Sequence, residues 1–198
     1  DRKSEKIFCI GLSRTSTKSL TAALDILGYN ISHYPTDKIT FQEMTTGNLN
    51  FTLLQDFDGI SDITIAPYYA QLDKLFPNSK FVLTIRDKES WLKSMENHWK
   101  DRPPFDDPNI SELHLKVRRF LRASVYGTYS FNRERLSYVY DLHMKNILDY
   151  FKNKPESLLI MNINGGEGWE KLCKFLNKPL IDEEFPYVRT SEHLFELM

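Results

Sequence analysis

Apolar residues along this chain fall into two kinds of cluster. Short, nearly unbroken runs occur at "KIFCIGL" (6–12), near Ile63 to Ala66, at Lys80 to Arg86 and at "SLLIMNI" (157–163), with a weaker one at "NISHY" (30–34). Runs this short, bounded by turn residues, predict strands buried on both faces. Between them, apolar residues recur every three or four positions, which is the helical period. Such stretches carry Leu20, Ala23, Leu24 and Leu27; Tyr69, Leu72, Leu75 and Phe76; Trp91, Leu92, Met95 and Trp99; and Trp169, Leu172, Cys173, Phe175 and Leu176. Gly28 stands where a helix C-cap is expected, Asp87 is placed to cap the third of these helices, and Pro179 closes the last. Two longer helical segments, about 110–125 and 132–152, follow the breaker "DRPPFDDPN" (101–109), and 36–54 reads as weakly helical pieces around "TTGN".

Strands alternating with helices, with few hairpin signals, predict an α/β fold. The expected form is a P-loop-type three-layer α/β/α arrangement around a mostly parallel sheet of about four to five strands. One domain over 1–198 is expected, with 101–135 as a lid or acceptor-pocket insertion. Ligands of such folds bind at the carboxyl ends of the strands.

Composition narrows the partners. Twenty-six Lys and Arg against 27 Asp and Glu leave a formal charge of -1, which gives no general attraction to nucleic acid or membrane, so any anion site must be built locally. The two cysteines, Cys9 and Cys173, write neither a disulfide framework nor a metal-ligand set, and they suit a reducing compartment. No apolar run approaches the roughly 20 residues that span a bilayer, and no signal-peptide pattern opens the chain. The expected location is cytoplasmic; because the chain begins at Asp1, a removed targeting or anchor segment, as in a Golgi-type luminal fragment, stays open.

Chemistry concentrates at two strand ends. "GLSRTSTKS" (11–19) joins the first strand to the first helix, gathering free backbone N–H groups and the positive helix end at one point. Ser13, Thr15, Ser16, Thr17 and Ser19 add hydroxyls, and Arg14 and Lys18 add charge, so the natural guest is a phosphate or sulfate group. An ATP-binding loop would carry Gly-Lys followed by Ser or Thr after G and four residues; here the "KS" pair comes one place late. The second site is "RDKESWLKS" (86–94), where Arg86 ends the strongest predicted strand and Ser94 lies eight residues on. Arg offers a planar fork to phosphate oxygens and Ser a directed hydroxyl.

Together these segments resemble the sulfotransferases that use 3'-phosphoadenosine 5'-phosphosulfate (PAPS). In that family a Lys or Arg, a Ser or Thr, Gly, Thr and a further small polar residue stand between first strand and first helix; Arg14, Thr15, Ser16, Thr17 and Lys18 occupy those places, with Arg14 for the commoner Lys and Ser16 for the usual Gly. Arg86 and Ser94 match the family's pair for the 3'-phosphate. "NINGGEGWEKLCKFLNKPL" resembles its late loop and helix, with Gly165, Gly166 and Gly168 allowing close backbone approach to the nucleotide. The resemblance covers about residues 7–190 and is nearest to a branch with "RTGT.SL" loops and "GWE.LC.FL" tails.

It implies transfer of a sulfuryl group from PAPS, without metal, to a hydroxyl or amine of a small acceptor, leaving the desulfated nucleotide PAP. Arg14 and Lys18 would stabilise the bridging oxygen, Thr15, Ser16, Thr17 and Ser19 would complete the loop, and Asp62, 24 residues before Arg86, would be the general base, with Asp58 as second choice. Among the five histidines, His33 is a candidate to line the acceptor pocket, and His98, His114, His143 and His193 read as ordinary helix or surface residues. "KVRRFLR" (116–122) reads as a solvated helix face before it reads as a site for an acidic acceptor. Tyr34, Phe41, Phe105, Phe120, Tyr126, Tyr129 and Phe131 are aromatic candidates for pocket or core. The rivals are an ATP- and Mg-dependent P-loop kinase and a nucleotide-binding relative without turnover. Acceptor and oligomeric state are not written in the sequence.

Overall fold

The computed structural model describes residues 5–188. Five strands, β1 (Ile7–Cys9), β2 (Ile31–His33), β3 (Gly59–Ser61), β4 (Lys80–Thr84) and β5 (Leu158–Met161), form one sheet in the order β2-β3-β1-β4-β5, and every pair in it is parallel. Seven α-helices accompany them: α1 (Thr17–Ile26), α2 (Lys38–Thr45), α3 (Tyr69–Leu75), α4 (Lys88–Lys100), α5 (Glu112–Leu121), α6 (Arg133–Phe151) and α7 (Trp169–Leu176).

The near-continuous apolar strands make sense because each strand feeds two cores. Phe8 and Phe81 point to one face, where they pack with Trp91 of α4 and Phe151 of α6, while Cys9 and Val82 point to the other, against Leu20 of α1 and Leu172 of α7. Two helix layers thus sandwich the sheet, as the alternation predicts. The predicted caps also hold: Asp87 accepts from Ser90 N–H, and Gly28 follows α1 with φ 91°.

One strand is displaced from its expected place. The run Ile63 to Ala66 is not a strand; β3 ends at Ser61, and Asp62 at φ 77° turns the chain out of the sheet. Ile63, Ile65 and Ala66 are apolar because they are buried in the turn beneath the site, not because they alternate along a pleat. Within the expected insertion 101–135, α5 runs directly into a π-helical turn, Arg122–Tyr126, closed by Gly127 at φ 71°.

Candidate active site

Parallel strands bring the ends of β1, β2, β3 and β4 to one edge, where they open into a cleft of about 1330 Å³. Among the described residues seven non-glycine residues have positive φ; Asn78, Asp106 and Asn177 lie elsewhere, whereas Arg14, Ser16, Tyr34 and Asp62 line this cleft, and of these only Asp62 is of a type that tolerates it readily. Costly backbone conformations collected at one place mark a built site.

The loop between β1 and α1 owes its shape to three supports. Gly11 lies so close to β4 that a Cβ there would come within 2.0 Å of Thr84 Oγ1. Trp91 Nε1 donates to the Ser13 carbonyl at 2.8 Å, and Ser13 N–H donates to Tyr126 Oη at 3.2 Å. Positive φ at Arg14 and Ser16, with Thr15 between them, gives the alternation that turns successive N–H groups toward an anion. The position where the resembling family has Gly therefore does require a left-handed backbone, at φ 68°, and Ser16 adopts it.

Most loop hydroxyls point away from the expected guest. Thr15 Oγ1 is buried, bonded to the Leu12 carbonyl and Thr84 Oγ1, both at 2.6 Å. Thr17 Oγ1 donates to Asp62 Oδ2 at 2.6 Å, Ser13 Oγ to Asp62 Oδ1 at 3.1 Å, and Ser16 Oγ to Asn164 Oδ1 at 2.8 Å. Ser19 Oγ accepts from Val188 N–H at 2.8 Å, which leaves its proton uncommitted. The groups left facing the cleft and free to meet an anion are Arg14, Lys18, Ser19 and the first-turn N–H groups of α1, which have no intrahelical acceptor.

The two distant motifs meet. Arg14 Nε donates to Ser94 Oγ at 3.0 Å, and Arg86 donates from Nη1 to the Arg14 carbonyl at 3.1 Å and from Nε to Ser90 Oγ at 3.0 Å. Burial, then the neighbouring Arg86 and Arg102, lower the pKa of Arg14, with Asp62 opposing. Gly166 lines the cleft and its carbonyl accepts from Tyr187 Oη at 3.3 Å. Gly165 does not line the cleft; its N–H is taken by Asn162, through Oδ1 at 2.8 Å and the carbonyl at 3.2 Å.

Asp62, buried on the cleft floor, also accepts from Ile63 N–H at 2.7 Å. Its neighbour is His33, whose Nε2 lies 3.9 Å from Asp62 Oδ2. Thr21 Oγ1 donates to the Thr17 carbonyl, so Ser61 Oγ, 2.8 Å away, must donate to Thr21 and accept from His33 Nδ1 at 2.8 Å. That chain fixes the tautomer and leaves Nε2 as a lone pair in the cleft. Burial lowers the pKa of His33, opposed by Asp62 and reinforced by Lys18. Asp58, the second choice for the base, instead accepts from the Asn30 N–H at 2.7 Å outside the cleft.

Four residues that sequence reasoning set aside belong to the cleft. His98 and His114 line it, and so do Arg118 and Arg122, which are buried rather than on a solvated face. The signal was present: Arg118 lies on the stripe of α5 that buries Leu115 and Leu121, and Arg122, four residues on, continues it into the π-helical turn. Of the aromatic candidates only Tyr34 lines the cleft; Tyr126 is fully buried, and Phe41 packs edge-on against Phe120. His143, half-buried on α6, bonds the Ile10 carbonyl at 2.7 Å, and His193 lies outside the described residues. Among the described residues no group of three His, Cys, Asp or Glu comes together as a metal-ligand set.

Comparison with known proteins adds three findings. A family model described as a sulfotransferase domain matches residues 6–194. The chain is 24% identical over 213 residues to the Ava biosynthesis cluster protein M of Aspergillus versicolor, covering 94% of this chain and 82% of that one. Its fold is similar to that of a sulfotransferase from Alicyclobacillus acidocaldarius, with a TM-score of 0.58 and 15% identity over 98% of this chain and 89% of the other.

Proposed function

Because the chain belongs to the sulfotransferase family, we propose that it transfers the sulfuryl group of PAPS to a hydroxyl or amine of a small acceptor. The observation that carries the reading is the junction of Arg14, Arg86 and Ser94 in one cleft, where Arg86 holds the backbone of Arg14 and Arg14 reaches Ser94. A nucleotide with anionic groups at both its 3' and 5' positions suits two basic loops joined in this way.

In this reading Arg86, Ser90 and Ser94 hold the 3'-phosphate. Arg14, Lys18, Ser19 and the start of α1 hold the 5'-phosphosulfate, where the leaving oxygen gains negative charge as the S–O bond breaks. Donors fixed at that oxygen favour the transition state over the ground state. The acceptor proton passes to the His33–Asp62 pair: Nε2 of His33 supplies the lone pair, and the carboxylate, held by Ser13, Thr17 and Ile63, stabilises the imidazolium. Asp62, the base expected from the sequence with Asp58 as second choice, becomes in this reading the charged member of a pair.

The test is donor dependence in EDTA. Stabilisation against heat by PAP and transfer of label from PAPS, both without divalent metal, are expected. Dependence on ATP with Mg²⁺ would make the chain a kinase instead, and PAP binding without transfer to any of a broad acceptor set would make it a binding protein.

A further inference from the structure

The cleft is longer than its nucleotide loops. Helix α4 has 13 residues, and at about 1.5 Å per residue it extends roughly 20 Å, with Arg86 just before its start and Arg102 just past its end. Its Ser90, Ser94, Asn97 and His98 line the cleft along one stripe. At the far end Arg102 is joined by Arg118 and Arg122.

Two of the three guanidiniums here lack a carboxylate partner. Arg118 pairs with Asp107 at 2.7 Å and donates to the Pro103 carbonyl, but among the described residues no carboxylate pairs with Arg102 or Arg122. Arg122 is only 4% exposed, donates to the carbonyls of Tyr129 and Arg102, and stacks over Trp99 at 4.2 Å. Those carbonyls tie 101–131 together, yet they satisfy hydrogens rather than charge, and three of the five N–H groups of Arg122 remain. A cation buried without a counter-charge is costly, and the cost appears as a pKa lowered to about 10 by burial first and then by Arg118. The only carboxylate lining the cleft among the described residues, Asp62, is committed to Ser13, Thr17 and Ile63.

We propose that the acceptor is itself an anion, a hydroxylated or amino compound whose carboxylate, phosphate or sulfate group docks on Arg102, Arg118 and Arg122 while its nucleophile faces His33. This rests on the sulfotransfer reading. Tyr34 joins the two ends, lying within the electrostatic reach of Asp62, Arg118 and Arg122 and touching the His114 ring at 6.1 Å between centroids. Such an acceptor would bring to the arginine end the counter-charge that the protein withholds, and a neutral analogue would leave those donors unpaired, the arrangement that discriminates most strongly.

The experiment is calorimetric titration of inorganic phosphate into PAP-saturated protein. Arg102 is half-buried and contacts backbone, donating to the His98 carbonyl at 3.0 Å, so Arg102→Gln is expected to fold. Phosphate should bind the PAP complex and bind about tenfold or more weakly after Arg102→Gln. Arg122→Lys keeps a charge and loses the fork, and it should also weaken phosphate without changing PAP affinity. PAP binding with no phosphate response, or with a response equal in both variants, overturns the anionic acceptor alone. Absence of PAP binding overturns the sulfotransfer reading and this inference with it.

Discussion

At the scale of single residues, Asp62 and His33 show how a common side chain acquires a particular task. Asp62 leaves β3 at φ 77° and receives three hydrogen bonds, two of them from the 11–19 segment, so that this loop and the proposed proton-accepting pair are one structure. Asp62→Asn should lower turnover by about 10² or more while PAP affinity stays within a few-fold. The pH profile carries a second signature. His33 must be neutral to act, and its pKa is lowered, so the acid limb of kcat/KM should lie below about 6.5. Asp62 raises that pKa, so the Asn variant should move the limb to still lower pH; a limb that does not move would take His33 out of the role. That Arg14, Arg86, Ser94 and Asp62 line one cleft was legible from the two strand-end motifs together with the family resemblance. The inward turn of Thr15 and Thr17 was not, because side-chain direction in this loop follows from positive φ at its neighbours, which a Ser or Arg does not announce.

At the scale of elements, helix α4 is both wall and buttress. Trp91 is fully buried against Tyr126 and Tyr140, and its Nε1 holds the Ser13 carbonyl, so a core residue also sets the loop. Trp91→Phe keeps an aromatic ring but leaves that carbonyl without its donor. Urea unfolding should show a loss of at least about 1 kcal/mol, accompanied by weaker PAP binding. Unchanged PAP affinity in a destabilised variant would separate the two functions. Strongly periodic helices and the long strand β4 could be read directly. The error at Ile63 to Ala66 arose because a three-residue strand, Gly59–Ser61, carries too little pattern to outweigh the apolar turn that follows it. Arg118 and Arg122 escape the sequence for a related reason: their charge suits a solvated face, while the buried stripe of Leu115, Arg118 and Leu121, continued by Arg122, is what places them.

For the whole molecule, a formal charge of -1 conceals strong separation. Arg14, Lys18, Arg86 and Lys93 line one part of the cleft and the three arginines the other, so acidic residues are confined almost entirely to other surfaces. Histidines caught in this field resist protonation. Burial and then Arg102, Arg14, Arg122 and Lys18 lower His98 to about 3, and burial followed by Arg118 lowers His114 as well. The unfolded chain takes up protons near pH 6.5 and the folded one does not. Stability from His98 is therefore complete above about pH 6.5 and declines as pH falls toward 3, by up to about 1.4 kcal/mol per pH unit. Urea midpoints should fall clearly between pH 7 and pH 5; equal midpoints would mean that His98 charges within the fold.

The bond from Arg86 to the carbonyl of Arg14 ties the two ends of the proposed donor's berth into a single lever. A shortened donor, adenosine 5'-phosphosulfate, would leave Arg86 without its anchor and so loosen the strand of backbone from which Arg14 addresses the departing oxygen. Its handicap would be felt in the speed of the chemical step as well as in grip, because energy gathered at a remote phosphate is relayed to the reacting end.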